Sequence, residues 1–139
     1  MAQPENIAGD LRDVIGRLIR RLRAERRDLT LAQVTVLGRL DRHGPSGISS
    51  MAAAEHVRPQ SMASTIATLE AEGLVSRRPD AADGRRVVID MTAAGREVLA
   101  ADRRRREGWL AEAIRRDFTA DERRLLADAT KLLARLAGD

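Results

Sequence analysis

Apolar side chains at Ile7, Leu11, Val14, Ile15, Leu18, Ile19 and Leu22 recur at the i, i+4, i+7, i+8 spacing of a helix. They predict a long amphipathic first helix with a broad apolar stripe, and Asp10, Arg12, Asp13, Arg17, Arg20, Arg21 and Arg23 fill its other face. Arg26-Arg27-Asp28 is the expected break. Thr30 to His43 reads as a second helix with Leu31, Val34, Leu37 and Leu40 inward, and Gly44-Pro45 ends it. Ser49 reads as the N-cap of a short helix, Ser50 to His56, with Met51, Ala52 and Ala54 available for packing. Val57-Arg58 then leads tightly into a fourth helix. Pro59 suits its first position, because the missing N–H would find no partner there anyway. Met62, Ile66 and Leu69 give this helix one apolar face, and Gly73 marks its stop.

The period then changes from helix to strand. Leu74-Val75 and Val87-Val88-Ile89 flank Pro79-Asp80-Ala81-Ala82-Asp83-Gly84, a loop rich in turn residues, which predicts a β-hairpin. Thr92 caps a fifth helix with Val98, Leu99, Trp109, Leu110, Ala113 and Ile114 as its apolar points. The run Asp102-Arg103-Arg104-Arg105-Arg106-Glu107 in its middle reads as a solvated face. Thr119-Ala120-Asp121-Glu122 is a capping box that opens a sixth helix carrying Leu125, Leu126, Ala129, Leu132, Leu133 and Leu136. A third leucine-rich stripe in so small a chain is more apolar surface than one layer of neighbours covers. Ile7, Leu11 and Val14, with Leu126, Leu132, Leu133 and Leu136, are therefore candidates for a dimer interface. Disorder is expected only at Met1–Glu5 and Gly138–Asp139.

Composition narrows the chemistry. A chain of 139 residues is expected to form one domain. It has no cysteine, so disulfides, thiolate metal sites and cysteine catalysis are excluded. No apolar run approaches the roughly 20 residues of a membrane span, and no signal peptide core opens the chain, so a cytoplasmic protein is expected. His43 and His56 lie at helix ends without matching carboxylate or metal-ligand spacing, and there is no glycine-rich phosphate loop. No cofactor and no metal are expected, and an enzyme is disfavoured. Net charge is +4, yet residues 39–91 carry 7 basic and 7 acidic groups. Any attraction to nucleic acid must therefore rest on local clusters rather than on bulk charge.

The polar side of the fourth helix supplies such a candidate. Ser61, Ser64, Thr65 and Thr68 recur at i, i+3, i+4, i+7 without a charge, in a chain that is 33% charged. Short hydroxyl side chains let a helix lie close to another surface and hydrogen-bond to it, as base edges and phosphates of a DNA major groove allow. Arg58, Pro59 and Gln60 begin the same helix. Arg77, Arg78, Arg85 and Arg86 decorate the hairpin, and arginine suits a phosphate or a narrow minor groove of strong negative potential. Asp83 stands two residues before Arg85 and can orient its guanidinium through a charge-assisted hydrogen bond. The competing reading is a winged helix that makes protein contacts without DNA, which has no use for an arginine-tipped hairpin.

At these residues the chain resembles the MarR family of bacterial winged-helix transcriptional regulators. The resemblance is carried by Leu69–Arg77 (LEAEGLVSR), by Asp83-Gly84-Arg85, and by Ile89–Arg96 (IDMTAAGR), where Met91 replaces the usual leucine. It implies a mainly α fold with a small β-hairpin wing: a winged helix-turn-helix head over residues 30–91 and a helical dimerisation stalk over 5–27 and 92–137. It also implies a homodimer that places recognition helices in major grooves and wings in flanking minor grooves. Arg58, Pro59, Gln60, Ser61, Ser64, Thr65, Thr68, Arg77, Arg85 and Arg86 are then the residues expected on double-stranded DNA. Repression, and release by a small-molecule effector lodged between stalk and head, are further implications. The absence of cysteine excludes the peroxide sensing that part of the family uses.

Overall fold

The computed structural model describes residues 2–25 and 28–138, so the Arg26-Arg27 part of the expected break lies outside the described residues. The elements, in order, are α1 (Pro4–Ala24), α2 (Leu31–His43), α3 (Ile48–Ala54), α4 (Pro59–Ala71), β1 (Val75–Pro79), β2 (Val87–Met91), α5 (Ala93–Asp117) and α6 (Ala120–Ala137). Pro4 occupies the first turn of α1, and Ile7 N donates to Gln3 O at 3.1 Å. Residues 4 and 5 are thus helical, against the expectation of disorder there, because proline is pre-set for the first turn.

The core belongs to the head. Leu37, Met51, Ile66, Leu69, Ile89 and Leu99 are fully buried, so α2, α3, α4, β2 and α5 each contribute to one cluster. Each such side chain stabilises by about 1.5–3 kcal/mol relative to exposure. The inward stripe of α2 is Gln33, Val36, Leu37 and Leu40. Leu31, expected inside, is 41% exposed. It lies in the first turn, where Thr30 and Gln33 form a capping box: Thr30 N donates to Gln33 Oε1 at 2.9 Å, and Gln33 N donates to Thr30 Oγ1 at 3.1 Å. That reciprocal pair turns Gln33 inward and Leu31 outward.

The short helix α3 begins earlier than its sequence suggests. Gly47, not Ser49, is the N-cap, and Met51 N bonds Gly47 O at 3.1 Å. A long-range contact decides this. Ser46 pairs with Ile89 through both backbone bonds, N→O at 3.1 Å and O←N at 2.8 Å, which fixes where the chain must turn. α3 also stops at Ala54 rather than at His56.

The hairpin pairs Val75↔Met91, Ser76↔Asp90, Arg77↔Ile89, Arg78↔Val88 and Pro79↔Val87 in antiparallel register. It runs directly into α5 through Thr92. Its hydroxyl donates to Gly73 O at 2.7 Å and accepts from Gly95 N at 3.0 Å, and its N–H donates to Leu74 O at 3.0 Å. Gly95 lies against this crossing so closely that a Cβ there would collide with the carbonyl oxygen of Leu74.

The run Asp102–Glu107 on α5 is a solvated face only at Arg104 and Glu107, against the expectation for the whole run. Asp102 is fully buried, with Arg106 Nη2 at 2.7 Å from its Oδ2. Arg103 Nη1 meets Asp41 Oδ2 at 2.9 Å, and Arg105 Nη2 meets Asp28 Oδ2 at 3.1 Å. Arg103 and Arg105 thus face α2 and the residues before it, whose carboxylates are distant in sequence. Their pairing could not be read from local spacing.

Helices α1 and α6 are of another kind: neither contains a buried residue. Between them lies a groove of about 580 Å³ lined by Ile7, Leu11, Ala129, Leu132, Leu133, Arg135 and Leu136. Arg21 stacks over Trp109, 4.2 Å from the ring centroid, and ties α1 to α5.

Gly95→Ala is expected to destabilise the head by more than about 2 kcal/mol, since the added methyl meets backbone that cannot move without breaking the Thr92 bonds. Chemical denaturation checks it. A midpoint unchanged from wild type would mean that this junction is loose.

Candidate nucleic-acid interface

Helices α3 and α4 are joined by Glu55 to Arg58 in a helix-turn-helix. The end of α3 is closed by two bonds, His56 N→Ala53 O at 3.3 Å and Val57 N→Ala52 O at 3.0 Å. The end of α4 repeats the pattern with Gly73 N→Glu70 O at 3.0 Å and Leu74 N→Leu69 O at 2.9 Å. This closure needs a left-handed residue, and the φ values are +55° at His56 and +74° at Gly73. Glycine adopts it freely. Histidine does not, so the turn between the two helices carries strain of about 1–2 kcal/mol.

Pro59 stands in the first turn of α4, with Arg58 as N-cap. Met62, Ile66 and Leu69 are buried, and Gln60, Ser61, Ser64, Ala67, Thr68 and Ala71 are exposed. At about 100° per residue, the centre of the outward face is Ser64, with Gln60, Ala67 and Ala71 beside it. Ser61 and Thr65 stand on the flank toward α2. Thr65 is half-buried there, and both line a shallow groove with Leu31, Thr35 and Val57. So the expected stripe Ser61, Ser64, Thr65 and Thr68 is rotated to one side of the true outward face. Ala67 and Ala71 belong to that face and were missed, because alanine carries no polar signal.

The threonine hydroxyls are also committed in part. Thr65 Oγ1 donates to Ser61 O at 3.1 Å, and Thr68 Oγ1 donates to Ser64 O at 3.2 Å. With the hydroxyl proton committed to the helix, each side chain has an acceptor oxygen and a methyl group to offer rather than a donor. That set suits the exocyclic amines of adenine and cytosine and the thymine methyl.

The wing supplies the cations. At its tip Asp83 Oδ1 accepts from Arg85 N at 3.1 Å and from Arg85 Nε at 3.4 Å. Asp80 N bonds Arg86 O at 2.9 Å and Arg86 N bonds Asp83 O at 3.0 Å, closing the loop. The Arg85 side chain is 94% exposed, so the aspartate aims a guanidinium that otherwise meets only water. Arg77 is less free: its Nε is 3.0 Å from Glu70 Oε1, which joins the wing to the end of α4. Arg78 pairs similarly with Asp90 across the strands at 3.4 Å. Arg86 stands near Arg77 over a cleft lined by Gly47, Ile48, Ser49 and Ser50 at the start of α3. Glu70 is not legible as a partner from local spacing, because the two residues meet only once the hairpin folds back on α4.

One exposed uncharged helix face, a tight turn before it and an arginine-tipped hairpin after it now stand in a single unit. A model described as the MarR family matches residues 29–87. An uncharacterised HTH-type transcriptional regulator of Mycobacterium leprae is 35% identical over 132 residues, covering 94% of this chain and 92% of the relative. The chain belongs to the MarR family. An HTH-type transcriptional regulator of Mycobacterium tuberculosis is likewise 35% identical over 135 residues, 96% of this chain and 94% of its own. A crystal structure of a Pseudomonas aeruginosa protein assigned as a transcriptional regulator has TM-score 0.87 and 36% identity, covering 100% of this chain and 99% of that one. The crystal structure of MarR has TM-score 0.75 and 29% identity, covering 91% and 96%. The MarR likeness expected from the LEAEGLVSR run and the wing motif is therefore shown, and with it the winged-helix fold of a transcriptional regulator.

His56→Gly is expected to raise stability by about 1 kcal/mol, by relieving the left-handed histidine. Thermal unfolding of the variant checks it, and a lowered Tm would mean that the imidazole makes a stabilising contact at the turn.

Proposed function

We propose that the protein is a homodimeric, sequence-reading repressor of transcription that binds a palindromic operator in the cytoplasm. The observation that carries this reading is the pairing of an exposed uncharged α4 face with Arg85, a nearly fully exposed guanidinium aimed by Asp83. In this reading α4 enters the major groove with Gln60, Ser64 and Thr68 toward the bases and with Ser61 and Thr65 on the flank of the same face. Arg58, and Pro59 behind it, stand at the groove edge beside a phosphate. Arg85 enters the flanking minor groove, where arginine senses width and potential. Arg77 and Arg86 neutralise phosphates between the two.

The head then spans residues 30–91, and residues 5–27 and 92–137 form the dimerisation region. Ile7, Leu11 and Val14 on α1 and Leu126, Leu132, Leu133 and Leu136 on α6 leave an apolar groove that a second copy would cover. A seated dimer blocks polymerase. A small molecule bound between stalk and head would shift the spacing of the two heads and weaken DNA binding.

The test is a footprint on duplexes enriched from a random library by the purified protein. Half-sites should lie about one helical turn apart, as two symmetric heads on one duplex face require. About six to ten phosphate contacts per dimer should cost ~10³–10⁵ in affinity between ~50 and ~200 mM salt. A nearly flat salt dependence would favour protein contact in place of DNA.

Two sets of variants divide the roles. Arg85→Ala should weaken binding to strong and weak sites alike and lower the salt slope by about one per wing. Asp83→Ala should act as a milder version. Changes at Ser64 or Thr65 should instead alter the preferred base at one position per half-site, by about 1–3 kcal/mol. Unchanged affinity in Arg85→Ala would remove the wing from the interface. Leu132→Asp with Leu133→Asp should give a monomer in sedimentation that has lost operator binding; a monomer with full affinity would refute the dimer.

A further inference from the structure

Along α5 the residues turned toward the head are Gly95, Leu99, Asp102 and Arg106, at i, i+4, i+7 and i+11. The first two are what a packed helix interface needs. The third is a fully buried carboxylate where an apolar residue would pack. Arg106 neutralises it from one side at 2.7 Å, and neither carboxylate oxygen has a hydrogen-bond partner of good geometry. A buried pair of this kind is a poor source of stability, since an apolar replacement of similar volume is often neutral or better. Both partners lie on α5, four residues apart, so this pair moves with the helix and does not set its register against the head.

Two further ion pairs flank it. Arg103 reaches Asp41, in the last turn of α2, at 2.9 Å, and Arg105 reaches Asp28, just before α2 begins, at 3.1 Å. The two arginines are separated by about 200° around α5 and so leave it on opposite flanks. One arm holds each end of α2. Together they oppose both rotation of α5 about its axis and rocking across α2. Each exposed pair alone contributes little to stability. Beyond Arg106, α5 continues to Asp117 without another buried residue. These pairs are the last hold of the head on α5 before that helix leaves it.

We propose that Asp41 and Asp28, with Arg103 and Arg105, fix the distance and rotational phase at which two heads of a dimer meet DNA, and so select the spacing between operator half-sites. This rests on the dimeric DNA-reading function argued above. The residues touch no base; they are positioning residues for those that do. One base pair shifts a half-site by about 3.4 Å and about 35° around the duplex, a misfit that a rigid junction cannot absorb and a loose one can.

The experiment uses the full-length protein and a duplex it enriches from a random-sequence library, then the same duplex with one base pair inserted or removed at its centre. Wild type should lose about 10- to 100-fold in affinity for either change, the scale of a lost base contact. The Asp28→Asn/Asp41→Asn double variant removes exposed groups only. It should lose less than about threefold on the same changes while reading base substitutions within a half-site as wild type does. A double variant as strict on spacing as wild type would overturn the proposal, as would relaxed spacing accompanied by an equal loss of base preference inside each half-site. If wild type enriches no duplex with two half-sites, the dimeric reading falls and takes this inference with it.

Discussion

The head depends on one close approach of backbone to backbone. Where α4 ends and β1 begins, the carbonyls of Gly73 and Leu74 accept from the hydroxyl and N–H of Thr92, and Gly95 lies against Leu74 because it has no Cβ. This crossing joins the end of the recognition helix, both strands of the wing and the start of α5. It consists of short-range, directional contacts with no slack for a side chain. The position of the wing relative to α4, and of both relative to α5, follows from it. The fully buried side chains of the core then fill the space that it defines.

Charge is used in two ways on this scaffold. Arg77–Glu70 and Arg78–Asp90 anchor the wing at its base, while Arg85 at its tip has one neighbouring carboxylate and is otherwise open. A guanidinium already satisfied by a carboxylate has less to gain from a phosphate, whereas an aimed and solvated one has most. The same residue type thus builds the hairpin at one end and leaves a free contact at the other. On α5, arginines once more serve as struts, here between a long helix and α2.

Helices α1 and α6 pose the opposite problem. Their apolar faces are regular and long, yet none of their side chains is buried among the described residues. A helix held only by its own propensity is marginal in water. These two draw order from Arg21–Trp109 and from the capping box at Thr119, and the groove between them lies open.

Sequence alone determined the features that depend on local chemistry. Helix periods, the Thr119 capping box, the Pro59 start, the Gly73 stop, the turn-rich loop between the strands and the Asp83–Arg85 pair all act within a few residues, so spacing reveals them. The family resemblance rested on the same local motifs. Tertiary structure decided whatever depends on partners distant along the chain. Ser46 is drawn to Ile89 and moves the start of α3 from Ser49 to Gly47. Packing against α2 takes Thr65 to the flank of α4 and leaves Ala67 and Ala71 on its outward face. Asp41 and Asp28, 62 and 77 residues from their arginines, turn an apparently solvated charge run into a junction. Periodicity reports which side of a helix is apolar. Which neighbour meets the other side is settled only when the chain closes on itself, because the energy of that contact does not exist until then.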